Sequence, residues 1–136
     1  MNNASLFFGR FGLSLIFILS GWSKIAGYEG TQQYMQAMGV PGALLPLVIA
    51  LELGGGLAIL AGLFTRPLAL ALAAFSIASA AIFHAQLGDQ MQFINFFKNI
   101  AIAGGFLALA TNGAGGWSLD ALRHRTPRIA GLKAAT

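Results

Sequence analysis

The chain has 136 residues, 57% of them hydrophobic and only 9% charged, where an ordinary soluble domain carries roughly a quarter charged residues. With a mean hydropathy of +0.73 it holds more apolar surface than a water-soluble core of this size can hide, which excludes a soluble enzyme, a disordered regulator and a DNA-binding module. The absence of cysteine removes disulfide relays, thiolate nucleophiles and iron–sulfur ligation, and the net charge of +4 reads as lipid-facing rather than nucleic-acid-binding, because four of the eight Lys/Arg fall at Arg123, Arg125, Arg128 and Lys133.

The first apolar run covers about residues 6–22, close to the ~20 residues of a bilayer span. Arg10 precedes a stretch short enough for a signal peptide, but Gly21-Trp22-Ser23-Lys24 is a poor cleavage site, so the run is expected to be retained. A long connection from Lys24 to Ala43 follows. Its Tyr34, Met35 and Met38 among glutamines predict a short helix in the interface, punctuated by Gly39-Val40-Pro41-Gly42.

The second run covers about 44–64 and contains Glu52 and three consecutive glycines, Gly54 to Gly56, that would admit a neighbouring helix. Thr65-Arg66-Pro67 predicts a tight turn, with the proline at the first position of the third run, about 67–83. The fourth run covers about 93–110, and Gly113-Ala114-Gly115-Gly116 reads as the turn that ends it. No run alternates with period two, and backbone groups in lipid need internal partners, so the expected fold is all-α: a polytopic four-transmembrane-helix bundle. Residues 1–122 form the membrane domain and 123–136 a basic tail. Six basic residues (Arg10, Arg66, Arg123, Arg125, Arg128, Lys133) fall on the side of the termini and two (Lys24, Lys98) on the other, which predicts both termini to be cytoplasmic.

Charge inside a span costs at least ~2.5–3.5 kcal/mol at the helix centre, so the few exceptions are informative. Glu52 reads either as a register-pinning carboxyl or as a proton-carrying, ligand-contacting one. Helix rise places Lys98 about one turn from it in depth, which nominates Lys98 as its partner. Asn95 and Asn99 share a helix face with Lys98. His84 closes the third span and Lys24 the first, so Lys24, Glu52, His84, Lys98 and Asn99 form a candidate pocket on the side opposite the termini. Each has a plainer reading: Lys24 as a snorkelling helix end, His84 as a solvated loop residue. Arg10 lies too far in depth to pair with Glu52 and either snorkels outward or reaches into the bundle. A lone histidine is no metal site, and no P-loop, GxSxG, HExxH or dinucleotide fingerprint is present.

Four stretches in order, Arg10 to Lys24 with its Arg…Gly-x-x-Lys, Glu52 to Gly62, Phe97-Lys98-Asn99, and Gly113-Ala-Gly-Gly-Trp-Ser-Leu-Asp120, resemble the DoxX family of small bacterial inner-membrane proteins over roughly Leu6 to Leu122. The resemblance implies a link to membrane oxidoreductase complexes, including quinone-linked oxidation of thiosulfate, and to oxidative-stress assemblies. It carries Arg10, Lys24, Glu52, Lys98, Asn99 and Asp120 over as motif positions. The leading expectation is a quinone-reactive subunit. Glu52 and His84 would handle protons, Lys98, Asn99, Lys24 and Arg10 would contact substrate, and Trp22 and Phe96 would wall the ring. With no flavin, haem or cluster motif, the redox group would be a membrane quinone or belong to a partner protein. The alternatives are a non-enzymatic anchor or assembly factor, and a small-solute transporter. Expected partners are the bilayer, a membrane or peripheral redox protein and a second copy, without nucleic acid.

Overall fold

A computed structural model describes residues 2–123. Helix α1 spans Asn3–Ala26, opened by the Asn2 side chain accepting the Ala4 amide at 2.9 Å. The short helix expected around Tyr34 to Met38 is present as α2, Tyr28–Ala37, and it buries Met35. Helix α3 spans Gly42–Ala61, α4 Thr65–Phe83 and α5 Gln90–Asn112, the last capped by Asp89 at its start and by Gly113, whose φ of 77° suits glycine, at its end. The four long helices contain 24, 20, 19 and 23 residues, enough for four membrane crossings, and no strand occurs among the described residues.

The bundle's outer surface, unlike that of a soluble one, is as apolar as its core. Only 17–28% of each span's most apolar window is buried, while Phe8, Leu47, Leu70 and Met91 face outward, as lipid-facing side chains do. The small core is built around Phe17, Ile59, Leu72 and Phe106, with alanines 69, 73 and 103 letting α4 and α5 pack closely. Phe17 meets the Phe106 ring edge-on at 5.5 Å.

Helix α3 is not uniform. It begins with a 3-10 turn at Gly42–Leu44, continues α-helically through Leu45–Ile49, widens to a π-turn over Ala50–Gly54 and finishes α-helically over Gly55–Ala61. Helix α1 crosses it at two glycines. A Cβ on Gly21 would lie 2.9 Å from both the Cβ and the amide nitrogen of Leu53, and one on Gly56 only 3.2 Å from the Ser14 carbonyl oxygen. Of the three expected glycines, Gly56 serves the α1 crossing and Gly55 faces Leu72, whereas Gly54 faces open space.

The end of the bundle that holds the N-terminus is closed by residues 113–123. Arg10 is 1% exposed and reaches inward. Its Nη1 donates to the carbonyls of Ile59 (3.0 Å) and Leu60 (2.8 Å), which end α3, and its Nη2 donates to the Trp117 carbonyl. Asp120 accepts the amides of Phe64 and Thr65, both at 2.9 Å, and so caps α4. The α3–α4 turn is therefore Gly62 to Phe64, and Pro67 sits third in α4 rather than first. The Asp120 carboxyl titrates below the usual carboxylate range. Burial pushes it up, but the Thr65 and Phe64 amides and Arg123 outweigh that.

Candidate functional site

At the opposite end of the bundle two cavities share one wall. The motif Gly-x-x-Lys in α1 explains how the wall is made. Gly21 brings α1 onto the backbone of Leu53, and one turn later Lys24 emerges beside the π-turn that holds Glu52. Lys24 Nζ donates to both Glu52 oxygens, at 3.0 and 2.9 Å. The Glu52 side chain is 4% exposed and that of Lys24 27%, so the carboxylate is the buried member and the ammonium the one in reach of water. The widened turn matters here, because a π-turn re-aims a side chain without bending the whole helix.

The first cavity, about 320 Å³, lies between α2, α3 and α4 and is apolar, lined by Met35, Val40, Val48, Ala78 and Ile82 among others. Tyr34 of α2 stacks on Phe83 of α4 at 5.4 Å along its edge. The second, about 290 Å³, lies between α1, α4 and α5 and is polar, with Ser20, Ser76, Asn95, Lys98 and Asn99 on its walls. Lys24, Glu52, Phe75, Ser79 and His84 line both. His84 Nδ1 lies 2.7 Å from Gln92 Oε1, so the ring donates there and Nε2 is left available as an acceptor.

The structure thus brings five of the six sequence-nominated residues together: Lys24, Glu52, His84, Lys98 and Asn99. It corrects how they are paired. Glu52 is held by Lys24, not by Lys98, because the glycine crossing draws α1 closer to the π-turn than α5 comes. Lys98 makes no ion pair or hydrogen bond among the described residues, and the Asn95 and Asn99 amides point to the same polar chamber without a protein partner. Arg10 is not part of the cluster, since it is spent on backbone carbonyls at the other end. Trp22 is 65% exposed and faces outward, so the aromatic walls are Phe75, Phe83 and Tyr34 instead of Trp22 and Phe96. Sequence reasoning missed Ser79 and Gln92. Serines 76 and 79, spaced i, i+3 in an otherwise apolar run, were the available signal for the former. Among the described residues no group of acidic, histidine or cysteine side chains is arranged to hold a metal ion.

Comparison with known proteins gives a family-model match to DoxX over residues 5–85. The inner membrane protein YqjF of Escherichia coli K12 is 48% identical over 125 residues, covering 92% of this chain and 96% of YqjF. Inner membrane protein YphA of the same strain is 41% identical over 122 residues, covering 85% and 87% respectively. A shorter likeness, 40% over 52 residues and 38% of this chain, links it to 39% of a Bacillus subtilis protein named "Putative oxidoreductase CatD". No solved structure matches the chain significantly.

Proposed function

The chain belongs to the DoxX family and is a multi-pass inner-membrane protein, and from that premise we propose that it is a redox-linked membrane subunit that handles a lipid quinone at the double chamber. The observation that carries the reading is the shared wall: the Lys24–Glu52 pair, its carboxylate buried, and His84 stand between an apolar space and a polar one. Such a site suits an amphiphile with a polar ring and an apolar tail. The residues present fit a quinone ring, since Lys98 and the amides of Asn95 and Asn99 are donors without protein partners in a chamber that otherwise offers few. The oxidoreductase label carried by CatD points the same way for the segment that is alike.

A quinone accepts two electrons and two protons on reduction, the electrons here coming from a partner protein or its substrate. Glu52 and His84 would pass the protons, each lying where the apolar space and the polar chamber meet. Lys24 and Lys98 would hold a quinone oxygen by donating hydrogen bonds to it. With the termini on the cytoplasmic side, as the distribution of basic residues suggests, the chambers open toward the periplasm.

The test is quinone content. The protein is purified in mild detergent, extracted with solvent, and wild type is compared with Glu52→Gln and Lys98→Met by chromatography. Near-stoichiometric quinone in wild type, lost in both variants while membrane insertion stays intact, is the expected result. Absence of quinone in wild type, or equal retention in both variants, overturns the reading and leaves the anchor as the working description.

A further inference from the structure

A different part of the molecule carries a second, independent site. Below the α3–α4 turn an open groove of about 450 Å³ runs between the start of α4 and the closing segment, far from the double chamber. Arg66, the second residue of α4, stands on one wall and Arg123, from the closing segment, on another. Both are exposed, and each guanidinium is only partly engaged.

Arg66 is oriented by one nitrogen only. Its Nη1 donates to the carbonyls of Ala110 (3.3 Å) and Thr111 (2.9 Å) at the end of α5, which leaves Nε and Nη2 without a hydrogen-bond partner among the described residues. That free edge lies beside Gly113, where an added Cβ would sit 3.2 Å from Nη2 and 3.3 Å from Nε, so glycine keeps the approach clear. Arg123 is laid over the Phe64 ring at 4.5 Å and forms a loose ion pair with Asp120 at 3.8 Å, too long for a hydrogen bond, so its N–H groups remain open to a ligand. The one acid in the groove is committed elsewhere, because both Asp120 oxygens accept backbone amides of the α4 cap. Two pre-aimed guanidinium groups thus face a cavity with one carboxylate already occupied. A guanidinium edge matches a phosphate in two-pronged fashion.

The position decides the source of the phosphate. Arg66 marks the boundary between α4's apolar run and the aqueous side, and the half-exposed Phe64 and Trp117 flank the same level, as aromatic side chains do at a bilayer's headgroup depth. We propose that this groove binds the phosphate of an anionic phospholipid headgroup, with Arg66 and Arg123 as its two ligands. The lipid thereby clamps the α3–α4 turn to the closing segment at a defined site, beyond the diffuse attraction of a basic surface to a membrane.

The probes are phosphatidylglycerol, phosphatidylcholine and inorganic phosphate, added to the purified full chain in detergent and read by native mass spectrometry and thermal unfolding. Phosphatidylglycerol is expected to remain bound and to raise the unfolding temperature more than phosphatidylcholine. Arg123→Gln, which leaves the Arg66 and Asp120 hydrogen bonds in place, is expected to weaken it at least tenfold (about 1.4 kcal/mol). Arg66→Lys, which keeps the charge and loses the fork, is expected to weaken it in the same direction. Equal retention of the two lipids, or wild-type affinity in Arg123→Gln, overturns the proposal. Displacement of phosphatidylglycerol by millimolar inorganic phosphate would make the ligand a free anion and overturns the lipid assignment.

Discussion

Substituting Lys24 by methionine is a sharp test of the shared wall, because the two members of its ion pair are unequally buried. The Glu52 side chain is 4% exposed and accepts two hydrogen bonds from an ammonium that is 27% exposed. Removing the lysine strands a buried carboxylate, and breaking such a pair from one side costs about 3–5 kcal/mol. The carboxylate can escape by taking up a proton. That escape keeps the loss toward the lower end of the range. Lys24→Met should therefore lose about 3–4 kcal/mol. Glu52→Gln removes the other partner but leaves a lysine at a helix end, free to extend its ammonium into water, so it should lose only about 1 kcal/mol. The double variant Lys24→Met/Glu52→Gln should recover at least ~1.5 kcal/mol relative to Lys24→Met alone. Equilibrium unfolding in mixed micelles, run as a double-mutant cycle, measures all three. A Lys24→Met variant no less stable than Glu52→Gln would refute the assignment of Glu52 as the buried, dependent partner.

Other consequences can be checked the same way. Arg10→Met strands the terminal carbonyls of α3 and that of Trp117, so a loss of about 3–5 kcal/mol is expected in the same unfolding assay. Gly21→Ala drives a methyl group into the backbone of Leu53 and should cost about 1–3 kcal/mol, and should also lower quinone retention by spoiling the position of Lys24. Asp120→Asn keeps one acceptor oxygen where two are used, a loss of about 1 kcal/mol. Because the folded Asp120 carboxyl titrates below its ordinary value, its contribution is present above that value and is lost as pH falls through the folded one. Wild type should therefore converge on Asp120→Asn below about pH 4 in a pH series of unfolding midpoints.

The spans and the short helix α2 were legible in the sequence because each depends on local composition. Lipid demands about twenty apolar residues whatever their neighbours, and Tyr34, Met35 and Met38 announce an amphipathic turn by spacing alone. The membership of the polar cluster was legible from depth, since counting residues from a helix end gives height in the bilayer. Pairing within it was not. Depth says nothing of azimuth, and two lysines of suitable height competed for Glu52. The winner was decided by how closely Gly21 lets α1 approach, a contact whose partner, Leu53, lies thirty-two positions away. Gly54 to Gly56 signalled a close crossing but not which glycine would be used. The inward course of Arg10 was hidden for a related reason, because its acceptors are main-chain carbonyls, which any sequence supplies. The termini beyond residues 2–123, including Arg125, Arg128 and Lys133, lie outside the described residues.

The π-turn over Ala50–Gly54 can also be regarded as a one-residue insertion that the helix has absorbed. An α-helix advances about 100° per residue, so one extra residue lodged elsewhere in α3 would rotate everything after it and swing Gly56 away from α1. Lodged in the wide turn, it leaves both flanking halves in phase with their neighbours. The converse holds for a deletion. Excising one residue within 50–54 would let the turn relax to ordinary helix while Leu45 and Ile59 keep their packing, yet the carboxylate would turn away from Lys24. The span thus separates the phase that builds the bundle from the phase that aims its acid, and a lineage can alter one without rebuilding the other.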